Sequence, residues 1–330
     1  MDLILADKNR KEIRVLQEMD VDIDLGDTND FELVASVDDW SGDIQMGCYI
    51  YIPDTEFGGM IGELESSTAE NQIYVRGDCW RGILARKIIE PSSGQDYKTV
   101  SGELNEIINN LVVDAGINDL FSVSEEDTEV SVTFQFDRYC TLLAGVEKML
   151  ASKGYRLEIA YIQRNVPEIG YVRLSAVPIV DYSNTKEISQ DNNLDFVATD
   201  YKRGINHLIC LGKGDLKDRL VRHLYVQKDG AIGTAKYYSG LNERTATYDY
   251  GSAEEQELVE SGTEKLKELM DKKSFKANIR DDVELDMQLG DTISGRDYIT
   301  GISVKKPIIG KILTIQNGEE KVEYKIEGDD

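Results

Sequence analysis

Residues 20–25 read Asp20-Val21-Asp22-Ile23-Asp24-Leu25, three acids alternating with three branched aliphatic residues. A period of two puts the acids on one face of a strand and the aliphatics on the other. The same alternation returns in Phe31-Glu32-Leu33-Val34-Ala35-Ser36-Val37, Cys48-Tyr49-Ile50-Tyr51-Ile52 and Gln72-Ile73-Tyr74-Val75-Arg76. Gly26-Asp27, Pro53-Asp54 and Gly58-Gly59 punctuate the runs as turns. Residues 1–95 therefore read as a first antiparallel barrel or sandwich.

Beyond residue 95 the period changes. Leu104, Ile107, Ile108, Leu111, Val112 and Ala115 share one helical face, with Ser101 expected as N-cap and Gly116 as the stop. Residues 129–136 alternate again. Tyr139, Leu142, Leu143, Val146, Met149 and Leu150 form a second helical stripe ending at Gly154. Strands at 155–161 and 171–180 complete an inserted α+β domain over residues 96–190. Residues 191–330 return to strand, at 206–211, 222–227, 283–287, 308–316 and 321–326, with Asn317-Gly318 as a hairpin turn. One helix, at about 252–272, interrupts them. Ser252-x-x-Glu255 reads as its capping box, and Leu258, Val259, Leu266, Leu269 and Met270 as its buried stripe. The fold class is mainly β with an α+β insertion, and the strand-rich ends permit two similar antiparallel β-barrel domains.

The chain has 330 residues, 37 Lys+Arg and 62 Asp+Glu, a formal charge of −25. A basic footprint for gripping nucleic acid is missing. Cys48, Cys79, Cys140 and Cys210 are scattered and read as free thiols of a reducing compartment. The amino terminus does not read as a signal peptide, no run is long enough for a membrane helix, and synthesis in the bacterial cytoplasm is expected.

Chemistry-bearing patterns are thin. His207 and His223, the only histidines, each sit in a strand-like run far from any nucleophile motif, and read as structural. No zinc spacing or H-E-x-x-H occurs. Asp20-x-Asp22-x-Asp24 fails as a calcium loop, with Leu25 where Gly belongs and Phe31 where Glu belongs. Gly212-Lys213-Gly214 lacks the rest of a phosphate loop and reads as a turn. Trp40 and Trp80 read as core rings, with carbohydrate stacking as the alternative. No catalytic residue, cofactor or metal is assigned.

Three stretches, spread in order from about residue 40 to the end, resemble the phage tail and baseplate hub protein family. The first is Phe57-Gly58-Gly59-Met60-Ile61-Gly62 followed by Gly77-Asp78-Cys79-Trp80-Arg81-Gly82-Ile83-Leu84, similar to the strand and turn passage that closes the family's first barrel. The second is Gly204-Ile205-Asn206-His207-Leu208-Ile209-Cys210-Leu211-Gly212-Lys213-Gly214 with Asp218-Arg219 and His223-Leu224-Tyr225. The third is Leu289-Gly290-Asp291-Thr292-Ile293 with Thr300-Gly301-Ile302. The resemblance implies a fold-determining role for Gly58, Gly59, Gly77, Trp80, Arg81, Gly82, Asn206, Gly212, Gly290 and Asp291. Gly77, Gly82 and Gly290 are expected at positive-φ or close-approach positions, and Trp80 at a barrel end.

What the resemblance implies for function is a structural hub of a phage tail, a tail-like bacteriocin or another injection particle. Such a hub is a homotrimer whose six barrels match the six-fold tail tube to the three-fold spike. Its expected partners are itself, the tube protein, the spike protein and other baseplate proteins, with DNA at most passing through an acidic lumen. The alternatives are a tail-associated cell-wall hydrolase and a carbohydrate- or receptor-binding module.

Overall fold

The computed structural model describes residues 1–17, 19–164, 169–183, 187–188, 195–278, 287–316 and 318–326. Its contacts form two units. The first is Met1–Phe196 with Lys276–Arg296 and Lys305–Glu327; the second is built on Val197–Phe275 with Asp297–Val304.

In the first unit, period-two patterning produces β1 (Ile4–Ala6), β2 (Glu12–Val15), β3 (Asp20–Leu25), β4 (Asp30–Ser36), β5 (Tyr49–Tyr51), β6 (Gly58–Ser67) and β7 (Gln72–Cys79). Antiparallel register sets Val21 opposite Leu33 and Leu33 opposite Val75, so the apolar members of three strands line up on one buried face. Asp20 and Asp22 stay outside. Asp24 departs from the expected acidic edge and is buried. Its carboxylate turns back to accept the Asp27 and Thr28 amides, both at 3.2 Å, and so closes the β3–β4 turn.

Next come α1 (Trp80–Ala85), β8 (Thr99–Glu103), α2 (Leu104–Asp114), β9 (Phe121–Val123), β10 (Ser131–Gln135), α3 (Leu142–Ala151), β11 (Tyr155–Ile162), β12 (Tyr171–Pro178) and β13 (Glu187–Ile188). Ser101 is not the N-cap of α2. It lies in β8, its hydroxyl 2.9 Å from Thr133 across the β8–β10 pair. Glu103 caps the helix instead, accepting the Glu106 amide at 2.8 Å. Gly116 follows the helix at φ 67°, the left-handed exit expected of it. Tyr139 falls outside α3, whose N-cap is Thr141. Leu104, Ile108, Leu111, Leu142, Val146 and Met149 from the helices share a core with Leu157, Ile159, Val172 and Leu174 of β11 and β12, and with Trp80 and Leu84.

β14 (Asp195–Tyr201) leads into the second unit, where β15 (His207–Leu211), β16 (Val221–Val226), β17 (Ile232–Gly233) and β18 (Thr245–Asp249) form a four-stranded sheet ordered β17-β16-β15-β18. The helix α4 (Glu255–Leu269) lays Leu258, Gly262 and Leu266 over Leu208, Cys210 and Leu224. The expected capping box does not form. The helix begins at Glu255 itself, after Glu254 as N-cap without a side-chain cap bond, and Glu255 is drawn to Arg222 at 2.9 Å.

β19 (Lys272–Asn278), β20 (Thr292–Arg296), β21 (Ser303–Gln316) and β22 (Glu319–Ile326) complete the chain. β21 pairs with β22 on one side and with β3 on the other, which places the last strands in the same sheet as the first, ordered β19-β22-β21-β3-β4-β7-β6-β5-β1-β2. The sheet is a curled half-barrel in a mainly β protein. Gln316 pairs opposite Glu319, and Gly318 adopts φ 79°; Asn317, and residues 283–286 of an expected strand, lie outside the described residues. No helix among the described residues is long and apolar enough to cross a membrane.

Candidate functional site

The motif residues of the first unit gather at the corner where β7 runs into α1. Trp80 opens that helix and is fully buried. Its ring stacks on Tyr161 at 5.7 Å, and Tyr161 stacks on Tyr51 at 3.8 Å. A Cβ on Gly58 would stand 2.9 Å from the Trp80 ring. A Cβ on Gly77 would run into the Met60 carbonyl and the Phe31 ring, one on Gly59 into the Asp78 carbonyl, and one on Gly82 into the Asn29 carbonyl. At Gly59, Gly77 and Gly82 glycine answers close approach of backbones rather than positive φ.

Arg81, 2 % exposed, is the buried charge of this corner. Its Nε and Nη2 donate to the two oxygens of Glu56, Nη1 donates to Glu147 at 2.6 Å and Nη2 reaches the Leu157 carbonyl at 3.3 Å. Burial works against the guanidinium charge, but Glu56 and Glu147 outweigh it and raise its pKa. Burial also pushes the neighbouring Cys79 thiol up to about 12, which leaves it protonated and a poor nucleophile at neutral pH.

A second lock centres on Gly290-Asp291. Gly290 adopts φ 91°, a left-handed conformation, with the Arg156 side chain against it. Asp291 is fully buried. Its Oδ1 accepts from Arg156 Nε at 2.8 Å and from the Val180 amide at 3.0 Å, and its Oδ2 from the Gln288 amide at 3.1 Å. Its backbone carbonyl accepts the Ile308 amide at 2.8 Å. Asp291 thus ties β11 and the segment after β12 through its carboxylate, and β21 through its backbone carbonyl.

Asn206 and Gly212 belong to the second unit, so the structure does not bring all ten motif residues together. Asn206 is buried and ties the start of β15 to the segment before β18, accepting the Arg244 amide at 2.9 Å and donating to the Asn242 carbonyl at 2.7 Å. Gly212 lies under α4, where a Cβ would stand 2.8 Å from Leu258.

The sequence reading missed a constellation in this unit. β15 and β16 pair with Ile209 opposite His223 and His207 opposite Tyr225, so both histidines share one face. His207 Nε2 lies 2.8 Å from His223 Nδ1. On its other side His207 Nδ1 lies 2.9 Å from Glu243 Oε1 and 3.0 Å from Thr245 Oγ1. Lys236 donates to the second Glu243 oxygen at 2.6 Å. Only strand register could have disclosed the meeting, because no spacing rule links positions 207 and 223. No group of three or more His, Cys, Asp or Glu arranged to hold a metal occurs among the described residues.

Acids crowd the solvent face of the curled sheet. Arg76 joins Glu32, Glu63 and Glu65 at 2.5, 2.8 and 2.6 Å. Desolvation, then the charges of Asp24, Glu32, Asp30 and Glu323, raise the pKa of Asp22.

No family model matches the chain, and no curated protein matches it. Solved structures match over its whole length. A prophage MuSo2 43 kDa tail protein from Shewanella oneidensis aligns at TM-score 0.56 and 11% identity, covering 99% of this chain and 98% of that one. A tail protein from Neisseria meningitidis MC58 aligns at TM-score 0.52 and 14% identity, covering 98% and 95%. A chain of the p2 virion baseplate in its activated conformation aligns at TM-score 0.51 and 10% identity, covering 100% and 99%. The chain has the fold of these phage tail and baseplate proteins.

Proposed function

We propose that this chain is a structural subunit of a phage tail or tail-like injection particle, assembling with other baseplate proteins. The observation that carries the reading is the end-to-end likeness to tail and baseplate chains, in which 99% of this chain and 98% of a tail protein superpose. More finely, it is a hub: a homotrimeric ring that seats the tail tube on one side and the spike on the other. The strand-rich ends, residues 1–95 and 191–330, supply the two ring-forming parts of each subunit, with residues 96–190 carried between them. Gly58, Gly59, Gly77, Trp80, Arg81, Gly82, Asn206, Gly212, Gly290 and Asp291 serve as fold determinants.

The role asks for no bond-making chemistry. The buried charges at Arg81 and Asp291 are spent on internal partners, and the Cys79 thiol is held protonated. The formal charge of −25 fits a passage through which nucleic acid moves without being held.

Light scattering and electron microscopy of the chain mixed with its tube and spike proteins test the hub. Trimeric rings that capture both partners support it. A chain that stays monomeric with both partners present, or that clears a peptidoglycan suspension by itself, overturns it.

A further inference from the structure

The two histidines of this chain occupy one small polar cluster, and the structural role proposed above leaves it unused. The cluster is wired in a definite order. Lys236 holds one oxygen of Glu243, and the other oxygen faces His207 Nδ1 at 2.9 Å. A carboxylate there assigns the proton to Nδ1, which leaves His207 Nε2 as a hydrogen-bond acceptor. That acceptor faces His223 Nδ1 at 2.8 Å. Tyr225, directly opposite on β16, stacks on the His207 ring at 4.3 Å and fixes its plane. His207 is 8 % exposed, whereas His223 opens to solvent.

A carboxylate that orients an imidazole from behind, with the opposite nitrogen left unprotonated, is the arrangement that prepares histidine as a metal ligand. We propose that His207 Nε2 and His223 Nδ1 form a solvent-open, two-imidazole site for a divalent transition-metal ion, with Glu243 as the positioning residue behind His207.

The geometry needs little adjustment. Metal–nitrogen bonds of about 2.0–2.1 Å at adjacent coordination positions set the two nitrogens about 3.0–3.4 Å apart. The exposed His223 ring supplies the remaining few tenths of an ångström by turning. Its proton passes from Nδ1 to Nε2, so the neutral ring takes the ion without net proton loss. Water completes the coordination shell. Imidazole donors select zinc, nickel or copper over magnesium or calcium. The ion would clamp β15 to β16 on the face opposite α4.

The test uses the full chain without a polyhistidine tag, titrated with Zn²⁺ and separately with Mg²⁺. The imidazole ¹H–¹⁵N signals are the readout, and both belong to this site because the chain has only two histidines. Both signals should move with one equivalent of zinc and stay fixed with magnesium. His223→Gln, at an exposed position, should keep the far-ultraviolet circular dichroism of the natural chain and lose the zinc-dependent shift of His207. Glu243→Gln should weaken zinc binding about tenfold. Zinc that binds without moving either signal, zinc affinity undiminished in His223→Gln, or no shift at millimolar zinc each overturns the proposal.

Discussion

Arg156 and Asp291 stand 135 positions apart in sequence, yet Arg156 Nε donates to Asp291 Oδ1 at 2.8 Å. The carboxylate is fully buried, and two backbone amides share it with the guanidinium. Removing one partner of a buried ion pair strands the other charge, at a cost of about 3–5 kcal/mol. Asp291→Ala should lose that much in urea unfolding of the first unit. Asp291→Asn keeps an oxygen acceptor and should lose less. If Asp291→Ala unfolds at the same urea concentration as the natural chain, the lock is not a stabilising element.

Trp80 and Tyr161 stack in the core, and both carry a buried polar atom, Nε1 and the hydroxyl, without a hydrogen-bond partner among the described residues. Their value to the fold therefore lies in the rings. Trp80→Ala should cost about 3–5 kcal/mol through the cavity it leaves. Tyr161→Phe removes an unpaired hydroxyl and should be neutral or stabilising by up to about 1 kcal/mol. Thermal unfolding of the two variants checks both. A Tyr161→Phe variant destabilised like Trp80→Ala would show that the hydroxyl is bonded after all.

Gly77 packs where β7 approaches the Met60 carbonyl and the Phe31 ring. A methyl there must push two strands apart, so Gly77→Ala should cost about 1–3 kcal/mol by overpacking. Gly62, whose nearest neighbour to an added Cβ is 4.0 Å away, is the control, and Gly62→Ala should be close to neutral. Equal midpoints for the two alanine variants in chemical denaturation would contradict the close approach.

How far the sequence discloses this fold depends on the range of the interaction. The alternation of Val21, Ile23 and Leu25 with acids is local, and it reads directly as β3. So do the apolar stripes of α2, α3 and α4. Helix starts read from the sequence at Ser101, Tyr139 and Ser252 differ from the observed ones, because capping patterns are short and β8 competes for Ser101. The short helix α1 leaves no sequence signal, since the passage from Trp80 to Ala85 is too brief to show a period. The pairing of β21 with β3 joins opposite ends of the chain, and alternation cannot say which strands are neighbours. The same limit hid the His207–His223 pair. Its members look like isolated strand residues until register sets them diagonally across β15 and β16.

That pair gives the second unit a pH dependence whose sign follows from burial. Desolvation lowers the pKa of His207 below its ordinary 6.5; the bond to Glu243 opposes this, and the charges of His223 and Lys236 reinforce the fall. The groups around the ring are Glu243 and Thr245 on one side, His223 on the other, and Tyr225 stacked on its face. The folded state thus binds protons less readily at this site than the unfolded chain does. Its contribution to stability is complete above 6.5 and is lost as pH falls from there through the depressed folded value. One such group changes stability by at most about 1.4 kcal/mol per pH unit. The unfolding temperature of the second unit should be level above that point and decline below it. His223→Gln removes the opposing charge and should shallow the decline, while Glu243→Gln removes the bond that supports a protonated His207 ring and should steepen it. The outcome that sinks this account is an identical slope in all three chains.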